Sequence, residues 1–188
     1  MENYLLEIAG LRRRLPFVPI SEDLAYASFV VISDAQLVEA CAPLIAAKIE
    51  DCDVVVTAEA KGIALAYEVS KQLKLDRFVV ARKSVKSYMK DPVSVSVHSI
   101  TTFDEQKLYL DGNDVRFLQG KRACLLDDVV STGESLNALE TLVRQAGGSV
   151  CARACILAEG EAAERKDLIF LKKLPLFQKN AEGGYEEI

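Results

Sequence analysis

The sequence predicts an α/β domain built on a largely parallel central sheet with helices on both faces. Short β-branched runs alternate with helix-period segments between residues 53 and 158, the order that yields strand-helix-strand crossovers. One apolar run, Leu125-Leu126, leads into Asp127-Asp128-Val129-Val130 and then Ser131-Thr132-Gly133-Glu134-Ser135, a polar turn that opens a helix; in such sheets ligands bind at the carboxyl ends of strands. A length of 188 residues suits one well-buried domain and not two large ones, so 1–188 is read as a single domain with a small N-terminal elaboration.

In chain order, residues 2–14 read as a short amphipathic helix, and 15–33, with two prolines and no firm period, as a cap over something else. Ser33 followed by Gln36 is a capping-box pattern for a helix over 34–50, which Pro43 should kink or interrupt. A strand is predicted at 53–57, a helix at 62–74 and a second strand at 77–82. Segment 83–93 is polar and basic and reads as a mobile loop, with strands at 94–101 and 106–110 forming a hairpin beyond it. The strand at 121–127 precedes a helix whose buried face is marked by Leu136, Leu139, Val143 and Ala146 and which Gly147-Gly148 terminates. Further strands are expected at 149–158 and 168–171.

A net charge of −5 supplies no general electrostatic footprint for nucleic acid, and the densest basic run, Arg12-Arg13-Arg14, reads as a solvated helix end. No apolar stretch reaches membrane-spanning length and the first residues lack a secretory pattern, so no membrane partner and a cytoplasmic location are expected. Cys41, Cys52, Cys124, Cys151 and Cys155 form no CxxC pair, and with His98 the only histidine they make no zinc set. They read as reduced packing residues, Cys151 and Cys155 sharing a strand face by parity.

The chemistry concentrates at 127–135. Backbone amides at a helix start, with hydroxyls at Ser131, Thr132 and Ser135, can hold a phosphate monoester, and the helix dipole favours its charge. Asp127 and Asp128, with Asp128 expected to be exposed at the strand end, can accept hydrogen bonds from sugar hydroxyls nearby. The competing reading is an ordinary turn in which Ser131 or Thr132 caps the helix. The run resembles the phosphoribosyl pyrophosphate (PRPP) motif of type I phosphoribosyltransferases, and the resemblance assigns Val130 to Ser135 to the 5′-phosphate.

Thr57-Ala58-Glu59-Ala60-Lys61-Gly62 is a second loop between strand and helix, where small residues let amides approach an anion and Lys61 adds charge; a plain turn is the alternative. The resemblance implies that Glu59, Ala60, Lys61 and Gly62 hold pyrophosphate, with Ala60–Lys61 the candidate for a non-proline cis peptide. Arg82-Lys83 ends the next strand and is similar to the pair that meets pyrophosphate in adenine and xanthine phosphoribosyltransferases, and Ser87-Tyr88 is similar to the lid serine-tyrosine of purine enzymes. Each could instead be solvated surface.

The resemblance spans about residues 53–159 and points to the purine group. It implies a type I phosphoribosyltransferase fold: an N-terminal helix and hood at 1–33, a core at 34–188 and a flexible lid at about 83–105. It also implies base contacts from Phe29, Tyr26, Val129 and Glu159, with Phe17 and Leu24 as further candidate walls. The implied catalytic set is Asp127, Asp128, Arg82, Lys83 and Tyr88; the implied cofactor is Mg2+, held at Asp127 and Asp128 directly or through water; the implied assembly is a homodimer. The implied reaction moves the 5-phosphoribosyl group of PRPP to a purine base with release of pyrophosphate. Several base discriminators of these relatives are missing or displaced: Ser131 stands where hypoxanthine-guanine enzymes carry an acid, Thr101 where adenine enzymes carry a glutamate, with Asp104 and Glu105 close by, and Gly160 where xanthine enzymes carry a lysine. The missing lysine favours adenine. Xanthine, hypoxanthine, guanine or orotate as acceptor, and a PRPP-sensing regulator without turnover, are the alternatives.

Overall fold

The computed structural model describes residues 3–97, 106–180 and 183–188. In chain order the strands and helices are β1 (Asn3–Ile8), β2 (Leu11–Pro19), β3 (Leu24–Ala27), α1 (Ala35–Ala46), β4 (Val54–Ala58), α2 (Ile63–Gln72), β5 (Phe78–Ala81), β6 (Val93–Val97), β7 (Gln106–Leu110), α3 (Gly112–Leu118), β8 (Arg122–Val130), α4 (Glu134–Gln145), β9 (Ser149–Glu159), β10 (Lys172–Leu174), β11 (Leu176–Lys179) and β12 (Tyr185–Glu187). A one-turn 3-10 helix, Gly160–Glu164, follows β9.

The core is a five-stranded sheet in the order β10-β9-β8-β4-β5, parallel throughout. Alternate residues of these strands enter two apolar cores, one on each face. Val55, Cys124, Leu126 and Ile156 join the side chains of α1 and α2 on one side, and Val54, Val56, Leu125 and Cys155 join those of α4 on the other. Both faces being covered, the strands read as continuous apolar runs. The central β8 has Ala123, Cys124, Leu125 and Leu126 each 0% exposed, and this rigid frame presents the loops after β4, β5, β8 and β9 along one edge.

Residues 2–14 form a β-hairpin, not the expected helix. Leu6 and Ile8 face inward while Leu5 and Glu7 are exposed, a period of two that the helical reading missed. Ile8 pairs with Leu11 across Ala9-Gly10, whose φ values of 49° and 76° are both positive, as a type I′ hairpin turn requires. The hairpin belongs to a second, antiparallel sheet in the order β1-β2-β3-β11-β12, which joins the two ends of the described chain. Its two C-terminal strands and α3, all short, had no expectation in the sequence.

Other corrections are local. Asp34, not Ser33, caps α1: its carboxylate accepts from the Leu37 N–H at 3.0 Å, while Gln36 accepts from Arg13 instead of closing a capping box. The helix continues through Pro43 and ends at Ala46, short of residue 50. In the segment 168–171 Ile169 makes only an isolated bridge to Ala154, and the strand lies later, at β10. Cys151 and Cys155 share no buried face. A register shift opposite Ala123 and Cys124 leaves Cys151 out of the ladder and exposed, whereas Cys155 is buried. The hairpin β6-β7 forms as expected, but its expected residues 98–105, including Thr101, Asp104 and Glu105, lie outside the described residues.

The Arg13–Asp34 pair ties the antiparallel sheet to the core. The guanidinium donates to both carboxylate oxygens, at 2.6 and 3.0 Å, from β2 to the first turn of α1. This hydrogen bonding, against a smaller opposing effect of burial, holds the Asp34 carboxyl below its usual range. Asp34→Ala is therefore expected to cost about 1 kcal/mol, the ordinary value of a lost N-cap. Since the folded-state pKa is depressed, that stability is present above the unfolded carboxylate range and is lost as pH falls through the folded value. Urea denaturation of wild type and variant at pH 7 and pH 3 checks this: the difference should be clear at the first and reduced at the second.

Candidate active site

Three contiguous cavities line the carboxyl edge of the parallel sheet, and Val129 is a wall of all three. The first, about 290 Å³, is enclosed by Val130, Ser131, Thr132, Gly133, Glu134 and Ser135 at the turn from β8 into α4. Gly133, at φ +82°, is the N-cap of this 12-residue helix and has no side chain to satisfy the leading amides. Those N–H groups and the hydroxyls around them line the cavity at the start of the helix, and such groups can receive an anion.

The second cavity, about 350 Å³, is walled by Glu59, Ala60, Lys61, Lys83, Lys107, Asp127 and Asp128, among others. The loop after β4 turns tightly: a Cβ on Gly62 would fall 2.3 Å from the Thr57 hydroxyl, so only glycine fits there. A cis peptide is present, but between Glu59 and Ala60, one residue before the expected Ala60–Lys61 bond. Glu59 is gripped from β5, its N–H donating to the Ala81 carbonyl at 2.9 Å, so the turn begins directly after it. Its carboxylate accepts from Arg82 Nε at 2.7 Å and from the Lys83 N–H. Burial opposes ionisation of Glu59, but these bonds and the cations Arg82 and Lys86 outweigh it and hold the pKa low. Arg82 also donates to the Tyr88 hydroxyl at 3.2 Å, which draws the exposed Tyr88 toward the site. Arg82, Gly62, Ser87 and Tyr88 are not walls of these cavities; Ser87 is exposed and the structure brings it to no other predicted residue.

The third cavity, about 870 Å³, is the most apolar. Tyr26, Phe29, Val129 and Glu159 all line it, together with Pro19, Ile20, Leu174 and Leu176, which the sequence reading did not single out. Phe17 instead packs edge-on against Phe177, with centroids 4.7 Å apart. Pro19, Tyr26 and Leu176 come from strands paired in the antiparallel sheet, whereas Leu174 ends β10 of the parallel sheet, and a wall assembled from both sheets carries no local sequence signal. Burial raises the Glu159 pKa, with Lys61 acting against it.

The acids at the end of β8 differ from expectation. Asp128 is 3% exposed, not open to solvent; β4 pairs with β8 only as far as Leu126, but β9 runs alongside it to Val130. Its Oδ2 has no hydrogen-bond partner and lies 3.7 Å from Lys61 Nζ. Burial, then the neighbouring Asp128 charge, pushes Asp127 up to about 7, although its Oδ1 accepts from the Asp128 N–H at 2.9 Å. Among the described residues no group of three or more His, Cys, Asp or Glu could hold a metal by itself. A buried, unpartnered carboxylate oxygen beside a second carboxylate suits a cation that takes most of its ligands from phosphate and water, which is the habit of Mg2+.

A family model described as the phosphoribosyl transferase domain matches residues 32–184. The chain belongs to the phosphoribosyl transferase domain family. Among its relatives are the HGPRTase-like protein of Halomicrobium mukohataei, 36% identical over 64% of this chain, and the hypoxanthine/guanine phosphoribosyltransferase of Methanotorris igneus, 30% identical over 60%. The matched stretches span 59% and 57% of those proteins' own lengths. Similar solved structures include adenine phosphoribosyltransferases of Thermoanaerobacter pseudethanolicus (TM-score 0.69, 20% identity, 85% of this chain and 95% of that one) and of Giardia lamblia in complex with 9-deazaadenine (0.67, 18%, 85% and 93%). The fold of this family member is thus the type I phosphoribosyltransferase fold, with the antiparallel sheet built on it.

The raised Asp127 pKa has a stability consequence with a definite sign. Between the unfolded value, about 3.9, and the folded value the native state holds a proton that the unfolded chain has lost, so this residue's contribution falls as pH rises through that window. Asp127→Asn keeps an oxygen for the Asp128 N–H and removes the charge. The unliganded variant is expected to be more stable than wild type at pH 8, by at most about 4 kcal/mol at roughly 1.4 kcal/mol per pKa unit, and close to it at pH 4. Thermal unfolding at both pH values measures the difference.

Proposed function

We propose that this protein transfers the 5-phosphoribosyl group of PRPP to a purine base and releases pyrophosphate. The observation that carries the reading is the convergence on Val129 of an amide-and-hydroxyl cradle, a cation-bearing loop and a large apolar pocket. These are the surroundings that a 5′-phosphate, a pyrophosphate and a base attached to one ribose need.

On this reading residues 130–135 anchor the 5′-phosphate, and Asp127 and Asp128 accept hydrogen bonds from the ribose hydroxyls. Lys61, Lys83 and Arg82 neutralise the departing pyrophosphate, with the loop holding Glu59, Ala60 and Gly62 shaped around it. Positive charge develops on the ribose as the bond to pyrophosphate breaks, so fixed acids near the sugar favour the transition state over the ground state. The segment around Ser87 and Tyr88 closes over the leaving group and excludes water, which would otherwise hydrolyse PRPP. Mg2+, held by Asp127 and Asp128 directly or through water, would supply charge to the pyrophosphate oxygens. Tyr26, Phe29 and Val129 sandwich the base, and Glu159 and Glu161 on the same pocket wall accept hydrogen bonds from an exocyclic amino group; Gly160 in place of a lysine removes a donor to a 6-oxo group, which favours adenine. The names of the Halomicrobium and Methanotorris relatives favour hypoxanthine or guanine as the second reading. A cytoplasmic homodimer completes the proposal; the groove between α1 and α2, walled by Ile32, Val38, Tyr67 and Phe78, is the apolar face it would cover.

Pyrophosphate release from PRPP and Mg2+ in separate reactions with adenine, hypoxanthine, guanine, xanthine and orotate tests the reading. Release dependent on one purine names the acceptor, whereas no release with any base, alongside PRPP binding, would replace it with a sensor. Asp128→Asn should lower turnover by about a hundredfold or more, the scale of a lost charged contact to a developing transition-state charge, while the variant's circular dichroism stays that of the wild type.

A further inference from the structure

The residue that falls outside every role above and still touches the site is Arg165. It follows the 3-10 turn Gly160–Glu164 and lies against the phosphate loop: a Cβ at Gly133 would sit 2.4 Å from its NH1. Gly133 therefore meets two demands, a left-handed turn at φ +82° and room for a guanidinium directly over its Cα. The other edge of the guanidinium is fixed. Nε donates to Asp167 Oδ1 at 3.0 Å and NH2 to Asp167 Oδ2 at 2.8 Å, a bidentate pair that sets the plane and leaves NH1 turned to the loop.

Asp167 does not cancel this charge alone, because it is shared. Arg153 NH1 lies 3.6 Å from the same Asp167 oxygen, Arg153 NH2 pairs with Glu140, and Glu140 also takes Arg144 at 2.8 Å. Three guanidinium groups thus face two carboxylates in one connected set, leaving one positive charge in excess, and Arg165 is the end of the chain that meets the loop. The set spans α4, β9 and the 165–167 segment, and it ties the middle of α4, at Glu140, to Arg153 on β9. Arg165 is no wall of the 290 Å³ cavity and so acts through the loop instead of on the ligand directly.

We propose that Arg165 is a positioning residue for the 5′-phosphate subsite, holding the Gly133 turn in its anion-receiving shape and placing the excess positive charge behind the amides. The proposal rests on the phosphoribosyl reading of that loop. It implies that phosphate affinity has a component carried by a residue more than thirty positions away in sequence.

The test is calorimetric binding of ribose 5-phosphate to the full chain without added metal or base, at two salt concentrations. Arg165→Met should bind roughly tenfold more weakly, with a shallower salt dependence, since the lost component is a charge interaction. Arg165→Lys, which keeps the charge but not the fork, should fall between the two and retain the wild-type salt slope. Arg165→Gln serves as the neutral variant if Arg165→Met does not fold. Wild-type affinity and slope in the neutral variant would overturn the proposal, as would weaker binding with an unchanged slope, which marks a structural role only. Failure of the wild type itself to bind ribose 5-phosphate would overturn the phosphoribosyl reading as well, so the two failures are distinguishable.

Discussion

Two adjacent carboxylates at the end of β8, one buried and one half-buried, lose much of their water, and the arrangement around β8 answers that loss. Asp128 is buried with one oxygen unpartnered, and Asp127 holds its proton toward neutral pH. Lys61 at 3.7 Å is too far for a hydrogen bond and offsets only part of the cost. Natural cores seldom leave such a group unmatched, so the unmet demand is itself a description of the ligand: hydroxyls to donate and cations to neutralise. PRPP with its metal offers both. The apolar stretch Ala123 to Leu126, by locking β8 in place, keeps the acids from moving out to solvent.

The cation-bearing side of the site is held in reserve by an internal competitor. Glu59 takes the Arg82 guanidinium and the Lys83 N–H, and Lys86 Nζ stands 3.9 Å from the same carboxylate. Arg82 also reaches Tyr88 in the next segment. On the proposed reading a pyrophosphate entering this cavity would meet cations already oriented by one carboxylate, so binding would exchange partners in place of ordering free side chains. Preorganisation of that kind lowers the entropy lost on binding. The loop geometry that permits it depends on Gly62, where any side chain would meet the Thr57 hydroxyl.

What was legible in the sequence was local. The parallel core could be read because strands buried on both faces are continuous apolar runs, and the turn into α4 because Ser131 to Ser135 are adjacent in sequence and line one cavity. The N-terminal hairpin is disguised in the sequence because Leu5, Ile8 and Leu11 imitate a helical spacing that the Ala9-Gly10 turn breaks. Asp128 was expected in solvent because a strand end is usually exposed; β9 continuing alongside to Glu159 buries it. The cis peptide was placed one residue late, as nothing in Ala58 to Lys61 reveals which peptide the grip on Glu59 selects. Arg165 gave no signal, for its contact with Gly133 exists only after the turn following β9 brings two distant segments together.

The base pocket shows the same limit in its strongest form. Its walls come from both ends of the chain: β3 supplies Tyr26, the segment after it Phe29, and Leu176 of β11 is paired directly with Tyr26. A pocket closed by pairing between residues some 150 positions apart takes its width from the register of that pairing, not from any motif. Of the positions at which relatives announce their base, Ser131 and Gly160 are walls of this same cavity, and Thr101 lies outside the described residues. On the proposed reading, base choice depends on how the antiparallel sheet sets Tyr26 and Phe29 beside Val129, with Glu159 in the same cavity. A cavity of that construction leaves no motif, whereas a turn of adjacent residues such as Ser131 to Ser135 does.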